Sequence, residues 1–292
     1  MKTSRASFSI LTIVVLIGLT VYLASSLPGR AERRFGEIIH ETKSDFSHIR
    51  VREKGSIRSL LFVDPDGREH CQSSLNVRSP SEHQLGYTKS MLASLFFHYP
   101  QNRVLIVGLG GGGMVQFLNF AFPAMMVEAV EIDPVVVDIA WEYFNTRPGP
   151  QVRIYVEDAF VFFEEPLRPY DVIYMDAFLQ PATDSGLEEK TLRLKTVEFL
   201  TQIQAHLSPD GLVAFNIIPT RASAPANLAA IEETFASTFS FDVPGTGNRI
   251  VIACKSETVI TPELLVERAQ RLDETLALDF SFEEIARSLR TP

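Results

Sequence analysis

The residues best placed to do chemistry are a run of glycines and three acids that follow it at the ends of apolar segments. Residues 103–113 read Arg-Val-Leu-Ile-Val-Gly-Leu-Gly-Gly-Gly-Gly, and Val-Glu-Ala-Val-Glu-Ile-Asp occupies 127–133. A short apolar run such as Val104 to Val107 is the pattern of a buried parallel strand. The glycines at 108 and 110–113 let the backbone turn sharply and approach a ligand closely. Glu131 ends the next apolar run, 18 residues after Gly113. In a doubly wound sheet an acid at that strand tip faces the ribose hydroxyls of a bound nucleotide. Asp158 follows the run Val152–Val156, and Asp176 follows Tyr170–Met175. Ligands of open α/β sheets bind beyond the carboxyl ends of the strands, so these acids and the glycine run converge on one site. Asp158 is placed to accept from the exocyclic amine of an adenine, or to cap the helix that starts at Ala159. Asp176 reads as a base, or as a cation anchor beside a reactive carbon. Asp133, just before Pro134, reads as a helix N-cap.

Other chemistries find no support in the sequence. The six histidines show no ligand spacing, no G-x-S-x-G occurs, and Cys71 and Cys254 stand far apart. The reading is therefore no metal site and two reduced thiols. A net charge of −9 argues against nucleic acid as the main partner.

These residues need elements to hold them. Residues 35–80 read as a small antiparallel β domain, with strands at 38–42, 48–52 and 59–63 and a turn at Asp64-Pro65-Asp66-Gly67. Residues 81–260 read as the main domain. A helix is expected over 81–98, and strands and helices alternate from Arg103 onward. The expected strands are 103–107, 127–132, 152–156, 170–176, 212–218 and 249–253. The expected helices are 115–122, 134–144, 159–164, 195–207 and 225–239, with a turn at Ser208–Gly211. Alternation of this kind predicts an α/β fold with a parallel sheet covered on both faces. Residues 261–292 read as a tail of two charged amphipathic helices.

Residues 1–34 form an N-terminal segment and linker. Phe8 to Leu27 is 20 residues without a charge, flanked by Lys2 and Arg5 and by Arg30, Arg33 and Arg34. As a helix it would span about 30 Å, the thickness of a bilayer core. The expectation is one retained membrane anchor at 8–27 with the main domain in the cytoplasm. The competing reading is a signal peptide cleaved near Ala24-Ser25-Ser26, with a secreted or periplasmic product.

Several of these motifs, taken in order, resemble the spermidine synthase family of polyamine aminopropyltransferases, within the class I AdoMet-dependent methyltransferase fold. The resemblance spans roughly 35–255. It rests on Cys71-Gln72-Ser73, Tyr87, the Val-Leu-Ile-Val-Gly-Leu-Gly-Gly-Gly run, Val-Glu-Ile-Asp at 130–133, Glu157-Asp158-Ala159, and Tyr170-Asp171-Val172-Ile173 through Asp176. It implies a Rossmann-like domain preceded by a β unit, which either makes a homodimer contact as in relatives or has its edge strands covered within the monomer. It also implies decarboxylated AdoMet or AdoMet as co-substrate, a small amine as acceptor, and no metal. By the same resemblance Gly108, Gly110, Gly111 and Gly112 hug the tail of the cofactor, and Gln72 reaches it from the β unit. Glu131 binds its ribose, and Asp158 and Ala159 its adenine. Asp176 helps deprotonate the attacking amine, with Tyr87 near the polyamine.

Two positions depart from the family pattern. Its glycine loop reads Gly-Gly-Gly-Asp-Gly-Gly, and the acid that holds the aminopropyl amine is Gly111 here. A second acid, three residues after the catalytic one, is Leu179 here. Burying an unpaired cation is costly, so Asp184, Glu188 or Glu189 would have to substitute. Intact AdoMet carries a carboxylate that a glycine loop with free N–H groups would host. The expected activity is therefore aminopropyl transfer to an amine. A methyltransferase and a non-catalytic, membrane-tethered sensor of adenosyl metabolites are the alternatives.

Overall fold

The computed structural model describes residues 30–79, 82, 85–177, 196–276 and 278–290. The apolar run 8–27 lies outside them, as do Leu179, Asp184, Glu188 and Glu189. No helix among the described residues is long and apolar enough to cross a membrane.

A short helix α1 (Arg30–Phe35) leads into an antiparallel sheet of four strands in sequence order: β1 (Glu37–Lys43), β2 (His48–Lys54), β3 (Ile57–Val63) and β4 (Glu69–Asn76). The turn expected at Asp64–Gly67 joins β3 to β4, with Gly67 at φ +79° and its N–H donating to Asp64 O at 2.9 Å. Alternation along β2 and β3 buries Ile49, Val51 and Leu60. Together with Leu75 these pack on Val136, Ile139 and Phe144. That shared core fixes the small sheet against the rest of the chain.

The second sheet has seven strands in the order β10-β11-β9-β8-β5-β6-β7. β5 (Arg103–Val107), β6 (Met126–Glu131), β7 (Val152–Val156), β8 (Tyr170–Met175) and β9 (Leu207–Ile217) are parallel. The chain runs outward from β5 through β6 to β7, then returns to lay β8 on the other side of β5. β5 is thus a topological switch point, where an open sheet leaves a crevice at its carboxyl end. One face is covered by α2 (Gly86–Met91), a 3-10 turn (Leu92–Phe96), α3 (Gly113–Ala121), α8 (Pro262–Leu276) and α9 (Phe282–Arg287). The other carries α5 (Ala159–Phe162), α6 (Val197–Ala205) and α7 (Ala224–Thr234). α4 (Pro134–Phe144) is capped by Asp133, whose Oδ1 accepts from Val135 N at 2.9 Å.

Four expectations are corrected. The sheet is mixed, because β11 (Arg249–Cys254) runs antiparallel to both β9 and β10 (Ser237–Asp242). The helix expected to reach Phe239 stops at Thr234. Ile231, Phe235 and Phe239 continue a helical spacing of four, but Ser-Thr-Phe-Ser-Phe also alternates as a strand, and sheet pairing decides. The turn expected at 208–211 is an excursion inside β9, where Tyr170 pairs with Leu207 and Val172 already with Leu212. The helix expected over 81–98 is α2 followed by the 3-10 turn, a tighter and shorter element.

Candidate functional site

A cavity of about 900 Å³ opens at the carboxyl ends of β5, β6 and β7, roofed by the small sheet. It gathers Gln72, Tyr87, Gly108, Gly110, Glu131, Asp158, Ala159 and Asp176, all expected from the sequence. Gly108 stands at φ +96°, and a Cβ there would lie 2.9 Å from Asp176 O. The tips of β5 and β8 therefore meet only because residue 108 has no side chain. At Gly110 (φ +55°) a Cβ would lie 2.5 Å from Ser73 Oγ.

Gly111 and Gly112 do not line the cavity. A Cβ on Gly111 would press on the Phe144 ring at 3.0 Å and on Ser73 at 3.1 Å, and one on Gly112 would strike Thr146 at 2.3 Å. Gly111 N donates to Ser73 Oγ at 2.8 Å, and Thr146 Oγ1 donates to Gly111 O at 2.7 Å. This half of the loop is a structural seam between β4, α3 and the end of α4. The loop amides are largely spent inside the protein. Gly108 N donates to Val130 O, Gly112 N to Leu109 O (both 2.9 Å), and Leu109 N to Glu131 Oε2 at 2.9 Å. The free N–H groups expected to host a carboxylate are therefore not offered at these positions.

Glu131 also accepts from Asp133 N at 3.0 Å through its other oxygen. Burial pushes its carboxyl above the usual range, while the amides of Leu109 and Asp133 pull it down. Those bonds fix the carboxylate plane and leave acceptor positions for a vicinal diol. Asp158 does both things the sequence allowed: its Oδ1 accepts from Phe160 N at 3.0 Å as the cap of α5, and the residue still lines the cavity. Gln72 Nε2 is turned to its own strand, donating to His70 O at 3.1 Å.

Asp176 sits half-buried at the tip of β8. Asn216 Nδ2 donates to its Oδ1 at 2.9 Å and the Tyr87 hydroxyl to its Oδ2 at 3.2 Å. Burial drives the carboxyl up to about 7, against the pull of Asn216 and Tyr87. Burial and the neighbouring Asp176 push the Tyr87 phenol well above its ordinary value, so it remains a neutral donor.

A second cavity of about 550 Å³ shares Ser73, Tyr87, Gly108, Leu109 and Asp176 with the first. Its further walls include Asn76, Glu82, Thr88 and Met114, with Asn76 Nδ2 donating to Glu82 Oε2 at 2.8 Å. Asp176 and Tyr87 thus stand in the partition between two spaces.

The described lining of the larger cavity carries five carboxylates, Glu131, Asp133, Glu157, Asp158 and Asp176, and no Lys, Arg or His. Such a site suits a cationic ligand and repels a pyrophosphate. Its apolar walls, Phe46, Phe62, Val136 and Phe160, escaped the sequence reading because nothing marks them off from core residues. Asn216 did carry a signal: an amide inside the apolar run 212–218 must find a buried partner. No group of three His, Cys, Asp or Glu among the described residues is arranged to hold a metal.

The model of the spermine/spermidine synthase domain family matches residues 86–220. A polyamine aminopropyltransferase of Vibrio vulnificus is 31% identical over 245 residues, which cover 82% of this chain and 79% of that protein. The chain belongs to the spermine/spermidine synthase family. A spermidine synthase solved with the transition state analogue AdoDATO has the same fold, with a TM-score of 0.69 at 17% identity over 88% of this chain and 86% of that one. An eEF1A lysine and N-terminal methyltransferase of Danio rerio is 31% identical over 183 residues, 59% of this chain and 26% of that protein. The fold is thus the Rossmann-like methyltransferase fold with a mixed central sheet and an N-terminal antiparallel sheet.

Two outcomes follow from this geometry. Gly111→Asp, which restores the family's loop acid, should destabilise the protein by about 1–3 kcal/mol in urea unfolding, because the added atoms meet Phe144 and Ser73. Unaltered stability would show that the seam yields. The second concerns pH. With Asp176 near 7 folded and about 3.9 unfolded, the folded state binds more protons between those values, so the ionised carboxyl lowers stability as pH rises through that window. Asp176→Asn should therefore gain on the wild type by about 2–4 kcal/mol between pH 4 and pH 8. Parallel pH–stability curves would refute the raised value.

Proposed function

We propose that the protein transfers an aminopropyl group from decarboxylated AdoMet to an amine acceptor, with Asp176 as the base. The observation that carries this reading is the charge of the cavity: five carboxylates and no cation among its described lining residues, around a loop whose amides are largely engaged. Decarboxylated AdoMet is a sulfonium with an ammonium tail, and both charges are welcome there. Among the described residues the carboxylate of intact AdoMet would find no cation and few free loop amides.

In this reading Glu131 accepts from the ribose hydroxyls, and Asp158 and Ala159 border the adenine. The acceptor amine enters by the second cavity and meets the sulfonium carbon beside Asp176. A carbon–nitrogen bond forms as the carbon–sulfur bond breaks, methylthioadenosine leaves, and the amine proton passes to Asp176. Burial makes that proton transfer easier. An alkylamine titrates near 10, so raising the carboxyl by about three units removes about 4 kcal/mol of the uphill transfer. The two cavities supply proximity, and the half-buried carboxylate supplies orientation.

Methyl transfer from AdoMet is the second reading, favoured by the sequence identity with the eEF1A methyltransferase and by the missing acid at Gly111. Calorimetry with AdoMet, decarboxylated AdoMet and methylthioadenosine separates the two. Decarboxylated AdoMet should bind at least tenfold more tightly than AdoMet, and Glu131→Ala should weaken both. The reverse preference would establish the methyltransferase reading, and binding without turnover on any amine would favour a sensor. Asp176→Asn should bind the same ligands and lose turnover.

The uncharged run 8–27 is, in this proposal, a single anchor that leaves the catalytic domain in the cytoplasm, where adenosyl metabolites are made. Protease added outside sealed right-side-out vesicles should spare the domain; digestion from that side would reverse the topology.

A further inference from the structure

We propose that Asn216 and Asn248 are positioning residues for Asp176, and that the β10–β11 turn is the element that supports them. This rests on the assignment of Asp176 as the base.

Asn216 lies on β9 and is 3% exposed. A buried amide must have both ends paired, and here both are. Its Nδ2 donates to Asp176 Oδ1 at 2.9 Å, and its Oδ1 accepts from Asn248 Nδ2 at 2.8 Å. The second bond decides the first. An amide can turn over and present oxygen where nitrogen was, which would set the Asn216 oxygen against the Asp176 carboxylate. The Asn248 donor claims that oxygen and so points the NH₂ group at Asp176.

Asn248 closes the turn between β10 and β11. Its carbonyl accepts from Val243 N at 3.0 Å, its N–H donates to Thr246 Oγ1 at 3.3 Å, and Gly245 and Gly247 take φ near +75°. The same turn abuts the start of α2, since a Cβ on Gly86 would lie 3.5 Å from Val243 Cγ1 and 3.7 Å from Thr246 Cγ2. The next residue is Tyr87, the donor to the other oxygen of Asp176. One turn therefore backs both donors, one through Asn248 and one through Gly86.

The surroundings make neutral donors necessary. Asp176 faces Tyr87 of α2, with Cys71 of β4 behind it. Across the cavity stand Glu131 and Asp133 at the tip of β6 and Glu157 and Asp158 after β7. These are acids or weak acids, and the described lining offers no cation. Amide and phenol donors keep the carboxyl ionisable without placing a positive charge where a cationic substrate must go. Both amide donors are attached to β9 and β11, central strands of the sheet, which is where rigidity is greatest.

The test uses the full chain with Asn216→Leu, Asn248→Ala and the double variant. Asp176 is titrated by ¹³C NMR in ligand-free protein, its signal assigned with Asp176→Asn. Transfer to an amine is measured across pH, and methylthioadenosine affinity is measured by calorimetry. Asn216→Leu should raise the Asp176 midpoint by about one pH unit and lower kcat at pH 7 about tenfold. Methylthioadenosine affinity should stay within about twofold. Asn248→Ala should move the midpoint the same way by less, and the double variant should match Asn216→Leu, because Asn248 acts through Asn216. An unmoved midpoint in either single variant, or full additivity in the double, would overturn the proposal. Failure of methylthioadenosine to bind the wild type would instead remove the adenosyl reading, while the titration still decides the positioning role.

Discussion

A carboxyl group taken out of water and held by two neutral donors is the interaction on which the rest of the site depends. At the tip of β8 Asp176 loses most of its hydration, and desolvation alone would keep it protonated. The fold answers with two neutral donors, Tyr87 and Asn216, brought from opposite sides. Supplying them needs three separate parts of the chain. The small sheet and its exit bring Tyr87 to the partition, β9 carries Asn216, and Gly108 lets the β5 tip lie close enough for the β8 tip to belong to the same crevice. The value that remains is raised, and under the proposed function a base near neutral pH would match an amine better than an exposed aspartate.

The small N-terminal sheet is part of this arrangement and not an appendage. Ser73 accepts from Gly111 N, and Leu75 packs over Gly113 and against the Val136–Phe144 core. The glycine loop is thereby locked from behind. Its flexibility is spent on packing at Gly111 and Gly112, while Gly108 and Gly110 meet Asp176 and Ser73 and also line the cavity. A loop with five glycines is in this sense two devices in sequence. The hairpin turn between β1 and β2 completes the enclosure. Phe46 and Ser47 line the cavity, and Ser44 Oγ donates to Asp133 Oδ2 at 2.5 Å, tying that turn to the mouth of β6.

Most of the architecture was legible because strand-helix alternation writes itself in runs and breaks. The strand ends carrying Glu131, Asp158 and Asp176 were legible for the same reason: an acid that stops an apolar run stands out. What escaped was set by pairing at long range. β10 reads equally as the last turn of a helix through Phe235 and Phe239, and only β11 beside it selects the strand. The acid count of the cavity could not be read either. Glu157 and Asp133 join it because β6 and β7 end side by side, which periodicity does not reveal. The opposite holds for Gly111. The sequence marks it as a missing amine anchor, while the structure shows the space already filled by Phe144 and Ser73.

That last point bears on what kind of family member this is. An acid lost from an open pocket would leave a vacancy that a neighbouring carboxylate might fill by chance. Here the position is packed between Phe144 at the end of α4 and Ser73 of β4, so an acid at residue 111 would need those neighbours to move. The cavity nonetheless carries negative groups, with five carboxylates among its described lining residues. A cation can still be neutralised there, but by acids on β6, β7 and β8 instead of by the loop. The tail of the ligand would then lie differently from the family pattern while its adenosyl end does not, because Glu131 and Asp158 occupy the expected strand tips. Under the proposed function that displacement would bear on the choice of acceptor, since the partition at Asp176 and Tyr87 would admit an amine only where the reactive carbon is held.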